Sequence, residues 1–521
     1  MLVEAFLERS ALKTPEKIAL ICQEARLSYV EIERLSNRLA CALKAEGIVR
    51  GDRVAIYLDN SVEAVVSVFG ILKAGGIFLM INPTTKAEKL AFILNDCLAA
   101  GLISHGKQME MISMEGREIP SLRLLILAGA GPAGAQIDRA RTVGWEALLA
   151  RYDSDLPPAK CAIDIDLATI IYTSGSTGFP KGVMMTHLNM VTAAASISRY
   201  VENIPEDVIL SALPLSFDYG LYQLLMAFKI GATLVLERSF TYPQVILEKL
   251  LKERVTGFPL VPTMVAILLQ MKGLSPGRFP LLRYITNTAA ALPPAHIAKL
   301  RALFPATKIF SMYGLTECKR VSYLPPEQLD VRPTSVGIAI PNTEVYIVDE
   351  EGKKVAPGVV GELVVRGAHV MRGYWERKEE TERALRPGSI PGEKVLYTGD
   401  LFKMDADGFL YFVGRKDDII KTRGEKVSPK EVEAVLYSLP DVAEAAVVGI
   451  EDRILGQAIK AVIVPAEGVS LTEQAVLLHC KRHLEDFMIP KVIEFRDALP
   501  KTATGKIQKR DLGIASEKVI R

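Results

Sequence analysis

The 521-residue chain carries 63 Lys and Arg against 61 Asp and Glu, a net charge of +2, with 49% hydrophobic and 24% charged residues. That length exceeds a single compact core and implies two or more domains, and the composition is that of a globular protein. The near-balanced charge gives no ground for nucleic acid or an anionic membrane as partner.

The cysteines at 22, 41, 97, 161, 318 and 480 form no CxxC, and the histidines are equally dispersed. This usage fits a reduced, cytoplasmic protein without a zinc site. The amphipathic, acidic start Met1–Arg9 has no basic n-region and no long apolar stretch, so no signal peptide is expected.

In chain order, Ser28-Tyr29-Val30-Glu31 is a capping box opening a helix through Leu43. Arg53–Leu58 reads as a buried strand after the Gly51-Asp52 turn. The most apolar stretch, Val62–Ile81, contains Glu63, Lys73 and Gly70, Gly75 and Gly76. It therefore reads as helix, turn and strand, not as a membrane span. Further strands are expected at Thr169–Tyr172, Thr233–Leu236, Leu282–Thr286 and Lys308–Ser311, with a helix from about Leu188. Helices alternating with short apolar strands imply parallel sheets covered by helices, an α/β fold. After about residue 335, short strands at Val345–Val348, Gly361–Val365 and Phe409–Val413 lie between Gly, Asp and Pro turns, which reads as a small antiparallel subdomain. Ser428-Pro429-Lys430-Glu431 combines a cap, an N1 proline and an N3 glutamate. It opens a helix in a small α+β domain from about residue 418.

The stretch richest in chemistry is Tyr172-Thr173-Ser174-Gly175-Ser176-Thr177-Gly178-Phe179-Pro180-Lys181-Gly182, a glycine- and hydroxyl-rich loop after a strand. Glycines let backbone N–H groups approach phosphate oxygens, hydroxyls add donors, and Lys181 can neutralise phosphate charge. It is not a Walker loop, because Lys181 lies between Pro180 and Gly182.

This loop resembles the signature of the adenylate-forming superfamily of acyl-CoA synthetases, nonribosomal-peptide adenylation domains and luciferases. Later motifs extend the resemblance over nearly the whole chain. It implies that Thr173, Ser174, Gly175, Ser176, Thr177 and Gly178 cradle ATP phosphates together with Lys181. Tyr313-Gly314-Leu315-Thr316-Glu317 resembles the second core motif. There Thr316 would contact the α-phosphate, Glu317 would hold Mg²⁺ and Tyr313 would lie against adenine. Tyr397-Thr398-Gly399-Asp400 resembles the ribose motif, with Asp400 accepting from the ribose hydroxyls and Arg415 reaching the same sugar. In Gly414-Arg415-Lys416-Asp417-Asp418, Asp417 matches the interdomain hinge, and Gly424 matches a position lining the thiol tunnel. Lys506, in Lys501–Ile507, matches the lysine that bridges carboxylate and α-phosphate.

The resemblance thus implies an AMP-binding domain over 1–414, with a β subdomain from about 335 to 414. A hinge at 415–417 and a mobile lid domain over 418–521 would follow. The activity expected is an ATP-dependent, AMP-forming carboxylate–thiol ligase, with ATP, Mg²⁺ and CoA or a phosphopantetheine thiol. The chain resembles stand-alone bacterial acyl-CoA ligases and prolyl-carrier-protein ligases most.

Around the acid, the resemblance implies Phe217 as a gate and Asp218 as a reader of a substrate amine; by its position alone Asp218 reads equally as a capping or hydrogen-bonded aspartate near a helix start. Ala289 and Ala290 replace glycines usual in relatives and narrow the acid site. Lys319 and Arg320 are read as solvent-exposed, unless they meet an anionic carrier surface or a phosphate. A free-standing amino-acid adenylase, with proline among its candidate substrates, is the nearest rival. No carrier domain follows residue 521, so a carrier would act in trans. A non-catalytic nucleotide-binding homologue and a luciferase-like oxidase stand further off. Either a monomer or a homodimer is compatible with these features.

Overall fold

The computed structural model describes residues 1–106, 118–129, 140–152, 155–173, 180–271, 273–288, 292–416, 418–422, 425–452, 455–501 and 507–513. Among these residues the chain builds a nine-stranded sheet, an eight-stranded sheet and two of five strands.

In the eight-stranded sheet, Arg53–Tyr57, Ile77–Met80, Gly101–His105, Leu124–Ala128, Arg141–Gly144 and Leu167–Thr173 run parallel. Lys181–Thr186 returns antiparallel to Leu167–Thr173, and Gly373–Tyr374 adds to its far edge. Alternation along Arg53–Tyr57 explains why helices cover both faces. Val54 and Ile56 enter the large core shared with the nine-stranded sheet, whereas Ala55 and Tyr57 pack with Leu90, Ile93 and Leu94 of the Ala87–Asp96 helix. The Val62–Ile81 stretch is a helix, Val62–Lys73, followed by the buried strand Ile77–Met80.

The nine-stranded sheet joins Ile18–Cys22, Thr233–Leu236, Val208–Ser211, Gly257–Leu260, Tyr284–Asn287 and Lys308–Tyr313 in parallel. Its edges are antiparallel, with Ala25–Ser28 at one end and Ser322–Leu324 and Ile338–Ala339 at the other. Phe69 and Phe228 stack with centroids 5.2 Å apart, fastening the Val62–Lys73 helix to Asp218–Ile230. Burying each ring is worth roughly 2–3 kcal/mol.

The third sheet is antiparallel, as its turn-rich sequence suggests: Glu344–Val348, Gly361–Arg366, Lys394–Met404, Leu385–Pro387 and Leu410–Arg415. The fourth consists of Ile420–Thr422, Glu425–Val427, Val442–Asp452, Gly456–Pro465 and Val492–Phe495. It has its own apolar cluster with the Pro429–Tyr437 and Glu473–His483 helices.

The two expected capping boxes fare differently. Ser28 accepts from the Glu31 N–H at 3.4 Å while Glu31 accepts from the Ser28 N–H at 2.7 Å. The helix at Pro429 begins where expected, but Ser428 makes no cap. Its hydroxyl donates instead to the Val413 carbonyl, tying the helix start to the Leu410–Arg415 strand. Pro429 at the first helical position already lacks one of the N–H groups a cap would serve. Among the described residues no helix is long and apolar enough to cross a membrane.

Candidate active site

In open α/β sheets, ligands collect where parallel strands end at their carboxyl termini. Several of the residues singled out in the sequence lie there. Leu167–Thr173 ends at Thr173, which pairs with Lys181 across the hairpin. Lys308–Tyr313 ends at Tyr313 and runs into Gly314-Leu315-Thr316-Glu317. Ser174, Gly175, Ser176, Thr177 and Gly178 lie outside the described residues, as do Ala289, Ala290, Asp417, Gly424 and Lys506.

Tyr313 donates its hydroxyl to Asp400 Oδ2 at 2.6 Å, and Arg415 Nε donates to Asp400 Oδ1 at 3.2 Å. Strand register makes this possible, because Asp400 and Arg415 are directly paired. Asp400 is only 5% exposed. Burial, reinforced by Asp400, holds the Tyr313 phenol well above its ordinary range, so it remains a donor. Its ring packs edge-on to Phe402 at 4.9 Å. The preceding Gly399 takes φ of +71°, a left-handed conformation that favours glycine, and its N–H donates to Glu362 Oε1 at 3.0 Å. Asp400 keeps unused lone pairs, since a carboxylate offers about four acceptor positions.

At the other end of the same turn, Glu317 Oε1 accepts from the Tyr374 hydroxyl at 2.8 Å, and its carbonyl accepts from the Met371 N–H at 2.7 Å. Tyr374 lies on the short strand paired with Lys181–Thr186, and Lys181 Nζ stands 5.6 Å from its ring centroid. Lys181 also lies 3.9 Å from a Glu380 oxygen. Asp96 fastens this assembly. It accepts from Tyr172 at 2.6 Å, from Arg377 at 2.9 Å and, through its carbonyl, from the Trp375 indole at 3.0 Å. Sequence reasoning missed Tyr374 and Asp96. The Arg372-Gly373-Tyr374-Trp375 run carries the only local signal, and its partners are distant in the chain.

The turn after Glu317 corrects one expectation. Lys319 and Arg320 do not sit in solvent: they are 0% and 4% exposed. Lys319 adopts φ of +66°, its Nζ donates to the Thr316 carbonyl at 3.0 Å, and the Val321 N–H returns to the Tyr313 carbonyl at 2.9 Å. This reversal folds both cations inward before the antiparallel Ser322–Leu324 strand begins. It also explains Gly314, where an added Cβ would lie 2.0 Å from the Lys319 carbonyl oxygen. Burial pushes the Lys319 ammonium down to about 8, with Asp218 and Glu317 opposing the shift.

Asp218 is the first residue of the Asp218–Ile230 helix and is 8% exposed. The residue before it, Phe217, occupies the cap position without a side-chain cap bond and is half-buried, edge-on to Tyr219 at 6.1 Å. Asp218 is therefore not a capping aspartate, and among the described residues it accepts no hydrogen bond. The charge that answers it is Lys319. Tyr219, Tyr222, Thr286, Met312 and Arg320 line a small cavity of about 10 Å³, with room for about one water.

A carboxylate–arginine pair, a second carboxylate and a lysine at the strand ends are groups that a nucleotide-dependent enzyme of the α/β class would use. Residues 7–375 match the AMP-binding enzyme family and residues 431–506 its C-terminal domain, and the chain belongs to that family.

Among curated relatives, it is 30% identical over 532 residues to a long-chain-fatty-acid–CoA ligase of Bacillus subtilis, covering 98% of this chain and 94% of that one. It is 32% identical over 505 residues to tyrocidine synthase 3 of Brevibacillus parabrevis, covering 96% of this chain but 7% of that one. Among solved structures it is similar to ATP-bound MatB from Rhodopseudomonas palustris, with a TM-score of 0.87, 28% identity and 98% of each chain covered. It is also similar to the o-succinylbenzoate coenzyme A synthetase of Bacillus subtilis in complex with ATP and a magnesium ion. There the TM-score is 0.83 and the identity 29%, covering 97% of this chain and 98% of that one. The chain is an ATP-dependent, AMP-forming carboxylate–thiol ligase.

Proposed function

We propose that the Tyr313–Glu317 turn seats the nucleotide and that the acid enters on the Asp218–Arg320 side. The observation that supports this reading is that one short turn carries both polar clusters. Tyr313 at its start holds Asp400 and Arg415, and Glu317 at its end holds Tyr374. Asp400 and Arg415 take the ribose, Tyr313 flanks adenine, and Thr316, Lys181, Thr173 and the loop Ser174–Gly178 take the phosphates. Magnesium suits Glu317, whose second carboxylate oxygen has no protein partner among the described residues. When bound, the ion supplies charge neutralisation on the phosphates.

The acid's carboxylate oxygen attacks the α-phosphorus, the bond to the pyrophosphate oxygen breaks, and Lys506 offsets the charge on both groups. A thiol sulfur then attacks the acyl carbon, losing its proton to solvent as AMP leaves. The thiol is that of CoA, with Gly424 in its channel. Residues 418–521 act as a lid on the body 1–414 and turn about Asp417 between the two steps. All six cysteines are free, which supports a reducing cytoplasmic setting.

Acid-dependent ATP–pyrophosphate exchange, with thioester formation measured separately from supplied acyl-adenylate, tests the assignment. Lys506→Ala should lower exchange about 100-fold or more while sparing thioester formation. Equal loss of both steps would overturn the role given to Lys506.

A further inference from the structure

Asp96 stands in an unfavourable place for a carboxylate. It is the last residue of the Ala87–Asp96 helix, where the helix dipole is negative and no basic residue of the final turn answers it. Its side chain is 10% exposed, so water does little to compensate. The groups that satisfy it come from far along the chain. Oδ2 accepts from the Tyr172 hydroxyl at 2.6 Å, Oδ1 accepts from Arg377 Nη2 at 2.9 Å, and the Asp96 carbonyl accepts from the Trp375 indole at 3.0 Å. Bonds of this kind to an ionised carboxylate are short and directional, and they fix the elements that donate them.

Those donors sit on two segments that the proposed phosphate site needs held together. Tyr172 immediately precedes Thr173, which pairs with Lys181 across the hairpin. Trp375 immediately follows Tyr374, whose hydroxyl donates to Glu317 at 2.8 Å and whose ring centroid lies 5.6 Å from Lys181 Nζ. Gly182 is where the two segments meet. The Trp375 N–H donates to its carbonyl at 2.8 Å, and an added Cβ there would lie 3.2 Å from both Tyr172 and Trp375.

We infer that Asp96 is a positioning residue for the adenylation step, holding Lys181 and Glu317 in register across the phosphates by tying Tyr172 to the Trp375–Arg377 run. It acts through these partners and not on substrate. This rests on the ligase reading above, in which Lys181 and Glu317 serve the phosphates and magnesium. Pyrophosphate leaves in the first half-reaction and is absent from the second. Loosening the Asp96 tie should therefore be felt in adenylation and not when a thiol attacks an acyl-adenylate already made. A tie that served the fold alone would slow both.

The test compares the two half-reactions in Asp96→Asn, which keeps the shape, removes the charge and turns one acceptor into a donor. ATP–pyrophosphate exchange is measured with whichever of malonate, succinate, octanoate, benzoate, glycine and proline the wild type uses best. Thioester formation is measured from the acyl-adenylate of that acid and CoA. Exchange should fall about 10- to 100-fold in kcat/KM for ATP, with more magnesium needed for the half-maximal rate, while thioester formation stays within about twofold of wild type. Tyr172→Phe keeps the ring and should show the same split with a smaller loss. In the double variant the two losses should combine to less than their product, because they break one tie. Melting curves check folding, and should Asp96→Asn not fold, Tyr172→Phe alone decides by the same split. Equal loss in both half-reactions, unchanged exchange, or losses that multiply in full overturn the inference and leave the ligase reading standing. A wild type that binds ATP but exchanges with no acid overturns the ligase reading and the inference with it.

Discussion

The proposed nucleotide side and the proposed acid side of the site are built on opposite principles. On the nucleotide side, each polar group recruits a partner from a distant part of the chain: Tyr313 with Asp400, Asp400 with Arg415, and Glu317 with Tyr374. On the acid side, a few residues away, Arg320 Nε and the Tyr222 hydroxyl are buried and left without partners. The first arrangement is rigid before anything binds, which suits a nucleotide common to a whole family. The second leaves two buried donors on residues lining a cavity with room for about one water.

The largest effect should come from removing charge where the phosphates sit. Glu317→Gln should lower the exchange rate about 1,000-fold with little change in melting temperature, read by exchange kinetics and calorimetry. A loss below about tenfold would break the view of Glu317 as the magnesium residue. Next comes the turn that joins the two sides. Gly314→Ala places a Cβ 2.0 Å from the Lys319 carbonyl oxygen, and should cost about 3 kcal/mol in chemical denaturation while degrading both ATP and acid affinity.

A smaller, sharper effect is expected at Tyr374→Phe. The hydrogen bond to Glu317 disappears, and magnesium-dependent activity should fall about tenfold, in line with the loss of one charge-assisted bond. The KM for magnesium should rise while folding is unaffected.

The smallest effect is a pH dependence centred on Lys319. Lys319 titrates near 8 in the folded chain, below its ordinary value of 10.5, because burial disfavours its charge. Between about pH 8 and 10.5 the unfolded chain therefore binds more protons than the folded one. Lys319 then adds stability as pH rises through that window, and its full penalty applies below it. Its deprotonation removes a countercharge from both Asp218 and Glu317, so the KM for the acid and the KM for ATP should both change several-fold above about pH 8. A profile flat through pH 8 for both would contradict a titrating Lys319 between the two carboxylates.

The same contrast governs what the sequence discloses by itself. The proposed nucleotide side is legible because its motifs are contiguous runs, Thr173–Lys181, Tyr313–Glu317 and Tyr397–Asp400. Strand positions are legible from short apolar runs, as at Arg53–Leu58 and Thr233–Leu236. The inward turn of Lys319 and Arg320 is not. A pair of cations after a turn reads as solvated surface, and only the left-handed backbone at Lys319 and the packing of Tyr219 against Arg320 reverse that. Tyr374 and Asp96 escape for a related reason. Their importance lies in long-range partners, Glu317 for one and Tyr172, Trp375 and Arg377 for the other. Ser428 shows that a correct helix start can still carry a wrong hydrogen-bond assignment, because a neighbouring strand competes for the hydroxyl.

The central claim is that an acid carboxylate attacks the α-phosphorus of ATP within this site. An acid that supports exchange, labelled with ¹⁸O in its carboxylate, tests it most directly when turned over with ATP and CoA and the products are weighed by mass spectrometry. The account predicts one labelled oxygen in AMP and none in pyrophosphate. Label in inorganic phosphate with ADP as the nucleotide product, or label in pyrophosphate with unlabelled AMP, would contradict it.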